Sequence, residues 1–130
     1  MLLLDTDVMI DLIRQYPLAT AWLAAQGTEE VVLPGFVVLE LIQGCRNKVE
    51  QDRVEQTVAH CRVVWPTEVE CHAAVHTYAQ YHLSHNLGCI DALIGHTALL
   101  LNEPLYTFNQ KHYSVIPGLK TLQPYTRTSV

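Results

Sequence analysis

Three carboxylates stand where a folded chain has no ordinary reason to keep them. Glu40 is the only charged residue between Glu30 and Arg46, inside the apolar run Phe36-Val37-Val38-Leu39-Glu40-Leu41-Ile42. Asp91 is the only charged residue between Glu70 and Glu103 when histidine is neutral, set in Cys89-Ile90-Asp91-Ala92-Leu93-Ile94. Asp5 directly follows Leu2-Leu3-Leu4. An ionised carboxylate in an apolar setting is costly unless a cation or hydrogen-bond donors compensate it. No matching set of Lys or Arg lies nearby in sequence. Gathered together, the three acids would raise one another's pKa values unless a divalent cation sat among them. Hard oxygen ligands favour Mg²⁺ or Mn²⁺, and metal-dependent phosphodiester chemistry is the natural use of such a site. Taken singly, each acid has a plainer role: Asp5 and Asp91 as helix caps, Glu40 on a solvent-facing stripe.

The elements around the acids bring them to one place. Leu2-Leu3-Leu4, Val31-Val32-Leu33, Val63-Val64-Trp65, Pro104 to Phe108 and Leu119 to Leu122 read as short, mostly apolar strands. Helices alternate with them: Val8 to Arg14 behind Asp7 as N-cap, then one opened by Pro17 and stopped by Gly27. Others run from Phe36 to Arg46, Lys48 to His60, behind Thr67 as a cap to about His85, and from about Asp91 to Leu101. Asn86-Leu87-Gly88 forms the exit of the long fifth helix. Strands that are apolar throughout and alternate with helices imply a parallel sheet covered on both faces. The predicted fold is a three-layer α/β/α domain, with a mainly parallel sheet of four to five strands and residues 1–130 as a single domain. Ligands of such sheets bind beyond the carboxyl ends of the strands. Asp5 ends the first strand, Glu40 sits on the helix after the second, and Asp91 opens the helix leading to the fourth.

The chain has 130 residues, 49% hydrophobic and 16% charged, a globular balance with enough length for a core that needs no metal or disulfide. Its net charge of -5 argues against bulk electrostatic gripping of nucleic acid but leaves room for a metal that meets phosphate. Asp5, Asp7 and Asp11 follow the first leucines too soon for a signal peptide or membrane span. Cys45, Cys61, Cys71 and Cys89 form no CxxC pair and read as reduced, mostly buried thiols of a cytoplasmic protein.

Four stretches carry a resemblance: Leu3-Leu4-Asp5-Thr6-Asp7-Val8; Leu39 to Gly44; Asp91-Ala92-Leu93-Ile94 with Thr97-Ala98-Leu99; and Leu105-Tyr106-Thr107-Phe108-Asn109 through His112-Tyr113 to Ile116-Pro117-Gly118-Leu119. In this order and spacing they resemble the PIN-domain ribonucleases, specifically VapC-type toxins. The resemblance implies a PIN fold, Mg²⁺- or Mn²⁺-dependent cleavage of RNA, inhibition by a small cognate antitoxin, and a homodimer. It matches Asp5, Glu40 and Asp91 to the first three acidic positions. By this reading Asp5 and Asp91 bind the ion, and Glu40 completes the shell directly or through water. At the fourth position the chain departs from the family, which often has Asp or Asn two residues after the threonine and Asp or Glu three residues further on. Here those places hold Asn109 and His112, and His112 is expected to ligate or to contact phosphate. Asn109 is expected to orient a water or a neighbouring carboxylate, and a second ion to bind more weakly. Thr6, Asp7 and Thr107 are expected to hydrogen-bond the ligands from behind.

Other features read more plainly. Glu68, His72 and His76 share one helix face, a spacing able to bind Zn²⁺ but more in keeping with a solvated face. Trp22 and Trp65 read as core. Arg14, Arg46, Lys48 and Arg53 form a modest basic rim suited to RNA backbone or to ordinary surface charge. No glycine-rich phosphate loop is present. A PIN-fold binding module with weak catalysis, and a DNA nuclease of related chemistry, stay open beside the ribonuclease.

Overall fold

The first strand decides the architecture. β1 (Leu2–Leu4) is apolar at every position and buried at every position, which only a strand covered on both sheet faces allows. A computed structural model of the chain describes residues 1–128 and sets β1 at the centre of a five-stranded sheet, in the order β3-β2-β1-β4-β5. The other strands are β2 (Val31–Pro34), β3 (Arg62–Val64), β4 (Leu105–Tyr106) and β5 (Thr121–Leu122). All four pairings are parallel, with Leu3 opposite both Val32 and Leu105. The chain runs from β1 outward through β2 to β3, then returns to add β4 and β5 on the other side of β1. The strand order therefore reverses between β1 and β4, the kind of crevice where open sheets bind ligands.

Seven helices complete the described chain: α1 (Thr6–Ile13), α2 (Pro17–Ala25), α3 (Gly35–Gln43), α4 (Lys48–Val58), α5 (Glu68–His85), α6 (Cys89–Leu101) and α7 (Gln110–Tyr113). They flank the sheet, as the alternating pattern requires. The local signals are ordinary ones. Pro17 occupies the first turn of α2, Thr67 accepts from the Glu70 N–H at the start of α5, and Asn47 does the same for Glu50 at α4. Asn86 ends α5 in the left-handed region at φ 55°.

The core gathers the inner strands with Val8, Met9, Val37, Ile94, Ala98, Tyr113 and Ile116, all 2% exposed or less. Gly95 is there because α6 must meet the chain after α7: a Cβ at this position would lie 2.6 Å from Ile116 Cδ1. Between α5 and α6, buried His96 is held by Glu70 Oε1 and Thr77 Oγ1, each 2.8 Å from a ring nitrogen.

Several boundaries differ from the sequence-based expectation. Helix α1 begins at Thr6 and its N-cap is Asp5, not Asp7. Helix α6 begins at Cys89 behind Gly88, so Asp91 lies inside its first turn rather than capping it. Helices α3 and α4 stop at Gln43 and Val58, short of Arg46 and His60, and β3 is shifted one residue back from Trp65. Trp65 is not core: it is 52% exposed, lying over Gly35 and edge-on to Phe36 at 5.3 Å. Trp22 is partly buried against the core as expected. None of the four cysteines is fully buried; Cys45, Cys61 and Cys71 are half-buried and Cys89 is exposed.

Candidate active site

Asp5 leaves the end of β1 and is pinned at once. Its backbone N–H donates to Tyr106 O in β4 at 3.0 Å, so the first residue past β1 sits beside the end of β4. Its carboxylate is 5% exposed and engaged on both oxygens. Oδ1 accepts from the Thr6 N–H at 2.8 Å and lies 3.2 Å from the Tyr113 hydroxyl; Oδ2 accepts from the Thr107 hydroxyl at 2.7 Å. These donors favour the ionised form, but burial, seconded by the charge of Asp7, wins and pushes the Asp5 pKa up to about 7. No ion pair reaches Asp5 among the described residues.

The other two acids approach through intermediaries. The Tyr113 hydroxyl lies 3.4 Å from Asp91 Oδ1, so one buried phenol stands between Asp5 and Asp91. Burial raises the Asp91 pKa, with nearby His112 and the Tyr113 hydrogen bond pulling the other way. The phenol itself is held well above its usual pKa by burial and by the charges of Asp5, Asp91 and Glu40. Glu40, half-buried on α3, accepts from the Thr6 hydroxyl at 2.5 Å. Thr6 thus touches Asp5 through its backbone and Glu40 through its side chain. The Tyr113 hydroxyl feels all three predicted acids, bonding Asp5 and Asp91 and sensing the charge of Glu40, but no three His, Cys, Asp or Glu among the described residues are drawn tightly enough to cage an ion.

Asp7 lies in the first turn of α1, as its second residue, and ties that helix to the exit of β4. Its Oδ1 accepts from the Val8 N–H at 2.8 Å and its Oδ2 from the Phe108 N–H at 2.9 Å, with the Thr107 hydroxyl 3.4 Å away. Burial raises its pKa against those bonds and against the charge of Arg127. The last described residues brace this side: Arg127 stacks on the Phe108 ring at 3.9 Å and pairs with Asp11 at 3.0 Å. Asn109 caps α7 by position but not by its side chain, and its backbone N–H donates to Thr107 Oγ1 at 2.9 Å. His112 is exposed near Asp91, not a buried ligand.

The expected contacts of Thr6 and Thr107 are present, Thr6 with Asp5 and Glu40 and Thr107 with Asp5; Asp7 bonds none of the three acids and holds the Val8 and Phe108 backbone instead. Tyr113 was overlooked as a site residue, because a large aromatic in an apolar neighbourhood reads as core, and its ring is indeed wholly buried. The signal available was its place one residue beyond His112, in the stretch that follows the β4 threonine. The Glu68 and His72 side chains are 3.7 Å apart and both exposed, which fits the solvated face.

The residues fit a divalent cation. Asp5 is a buried carboxylate whose neighbours donate hydrogen bonds but bring no positive charge in contact, and a second carboxylate faces it across a single hydroxyl. Such a pair is stabilised by a cation and penalised without one.

The chain also has known relatives. The family model described as PIN domain matches residues 2–116. Ribonuclease VapC10 of Mycobacterium tuberculosis is 34% identical over 122 residues, spanning 92% of this chain and 91% of the relative. Among solved structures, VapBC-1 from nontypeable Haemophilus influenzae superposes with a TM-score of 0.74 at 25% identity, over 94% of this chain and 96% of that one. A toxin-antitoxin complex from Klebsiella pneumoniae gives a TM-score of 0.76 at 23% identity, over 96% and 98% of the two chains, a likeness of fold.

Proposed function

The chain belongs to the PIN-domain family, and on that premise we propose that it is a VapC-type endoribonuclease toxin, cutting RNA phosphodiester bonds with the help of Mg²⁺ or Mn²⁺. The observation that carries the reading is Asp5, buried beside Asp91 with donors on every side and no cationic partner among the described residues. Asp5 and Asp91 would hold the ion, with Glu40 joining directly or through a water. Bound there, the ion would supply a water of lowered pKa and polarise the scissile phosphate.

The chain's own residues do the rest. Thr6 and Thr107 hold the Asp5 carboxylate in one rotamer, and the Thr6 hydroxyl also holds Glu40. Asp7 fixes the Phe108 backbone and with it the start of the loop that carries Asn109. Asn109 is neutral, so it orients a water or a neighbouring acid without adding charge, and one tightly held ion is the expected occupancy. Water is the expected nucleophile, in line with the leaving oxygen, so the products should carry no 2′,3′-cyclic phosphate.

A small antitoxin is the expected inhibitor, supported by the likeness to VapBC-1 at matching length. A second copy of the chain is the expected dimer partner. The exposed apolar residues Leu39 and Trp65, linked through Phe36, offer it a face. No helix among the described residues is long and apolar enough to cross a membrane; a cytoplasmic location is part of the proposal. The neutral Asn109 favours one rival, a PIN-fold module that binds RNA or protein and cuts poorly.

The test is cleavage of a structured RNA pool by purified, antitoxin-free protein, with Mg²⁺, Mn²⁺ and EDTA arms. Metal-dependent cuts lost in Asp5→Asn and Asp91→Asn support the nuclease, and a gain in Asn109→Asp identifies the missing carboxylate as its handicap. RNA binding without cuts in any arm, unchanged by the same substitutions, sinks the nuclease in favour of the binding module.

A further inference from the structure

The chain has only eight Lys and Arg against thirteen Asp and Glu, so a basic side chain left without an acid is notable. Arg46 pairs with Glu50, Lys48 with Asp52, Arg62 with Glu30 and Arg127 with Asp11. Among the described residues Arg14, Arg53, Lys111 and Lys120 have no such partner. Two of these, Arg14 and Arg53, stand together. Arg14 closes α1 and Arg53 lies midway along α4, and both line one cavity of about 320 Å³. They also line an adjoining cavity of about 250 Å³, so the pair flanks the junction of the two.

The larger cavity has Glu40 in its wall, and Glu40 is tied to the hydroxyl of Thr6, the residue that also bonds Asp5. Its floor is apolar, with Ile10, Ile13 and Val54, which strengthens any charge interaction made above it. Glu50, the other acid in the lining, is bonded by Arg46 at 3.0 Å and feels the charge of Arg14 without an ion-pair contact. Two guanidinium groups sharing a cavity repel each other and gain most from a shared anion. The planar guanidinium fork suits phosphate oxygens two at a time. From Asp5 to Arg14 the chain follows α1 for about nine residues, roughly 13 Å at 1.5 Å each, a span that a short stretch of extended single strand covers.

We propose that Arg14 and Arg53 form a phosphate clamp that holds the RNA backbone on the α1–α4 side of the cleavage centre. The clamp rests on the ribonuclease reading for its substrate. It sets where the strand enters and carries no base specificity, as phosphate contacts position a nucleic acid without reading it.

The experiment separates the two readings. Binding of a short, fluorescein-labelled, mixed-sequence single-stranded RNA is followed by anisotropy across a KCl series, using the Asp5→Asn protein so that no cutting intervenes. Arg14→Gln with Arg53→Gln should weaken binding several-fold and lower the slope of log affinity against log salt by about 1.4, two phosphates at about 0.7 each. Lys120→Gln, at the β5 edge, should change neither. Both arginines are exposed, so an unchanged urea midpoint confirms that the fold is intact. In the cleaving protein the double variant should raise KM and leave kcat nearly unchanged. An unaltered salt slope overturns the clamp even if the protein cuts RNA. A lowered slope in a protein that cuts nothing keeps the clamp and removes the nuclease. Loss of binding to an acidic partner protein, with RNA affinity untouched, also overturns it.

Discussion

Asp5→Asn should make the metal-free protein more stable at neutral pH. Its pKa is about 7 in the folded chain against the usual 3.8 when exposed. Between those values the native state keeps a proton that the unfolded state has released. Stability on account of this group is therefore full below about pH 4, falls as pH rises, and is lost once pH passes about 7. At about 1.36 kcal/mol per pKa unit, roughly three units amount to about 4 kcal/mol at most. Asparagine removes the charge and keeps the shape, at a modest hydrogen-bond cost. Its carbonyl oxygen can still accept from the Thr6 N–H, but its amide nitrogen faces a Thr107 hydroxyl that now donates to Asp5. That hydroxyl has an alternative acceptor in Asp7 Oδ2, 3.4 Å away. A net gain of about 2–4 kcal/mol at pH 7.5, shrinking to near zero or below at pH 4, is the expected difference. Urea unfolding of both proteins across this range, in EDTA, reads it directly. Adding Mn²⁺ at pH 7.5 should raise the wild-type midpoint and leave that of Asp5→Asn nearly fixed. A variant less stable than wild type at pH 7.5, or one with an unchanged pH slope, would refute the picture of an uncompensated buried charge.

Two further substitutions probe the shell and its support. Tyr113→Phe keeps the buried ring and removes the hydroxyl between Asp5 and Asp91; it should cost about 1 kcal/mol of stability but weaken Mn²⁺ binding several-fold by calorimetry. An unaltered Mn²⁺ affinity would make the phenol a packing residue only. His96→Leu leaves Glu70 and buried Thr77 without their shared partner, and should lower stability by about 2–3 kcal/mol in urea while RNA affinity stays the same, since this network between α5 and α6 makes no hydrogen bond to Asp5, Glu40 or Asp91.

What could be read from the chain and what could not follow a physical divide. Strands covered on both faces advertise themselves as unbroken apolar runs, so Leu2–Leu4 and Val31–Leu33 were visible, as was the parallel sheet they require. Glu40 and Asp91 were visible for the converse reason: a charge is conspicuous where nothing nearby in sequence compensates it. The choice of helix cap was not visible, because Asp5 and Asp7 are equally good cap residues. The decision falls to β4, whose Tyr106 carbonyl takes the Asp5 N–H and whose Phe108 N–H takes the Asp7 carboxylate. Trp65 was misread for a similar reason. Its size suggests burial, yet it follows an edge strand, and Gly35 lets its ring lie flat on the surface instead of entering the core. The deepest omission was Tyr113, 108 residues from Asp5 in sequence and in contact with it through one hydroxyl. A buried tyrosine differs from a buried phenylalanine only in its need for a hydrogen-bond partner, and that need has no local signature. In this fold the partners are two acids that make no ion pair among the described residues. The same burial that lets the core accept the Tyr113 ring therefore also raises the pKa of Asp5, joining the packing of α7 to the chemistry at the end of β1.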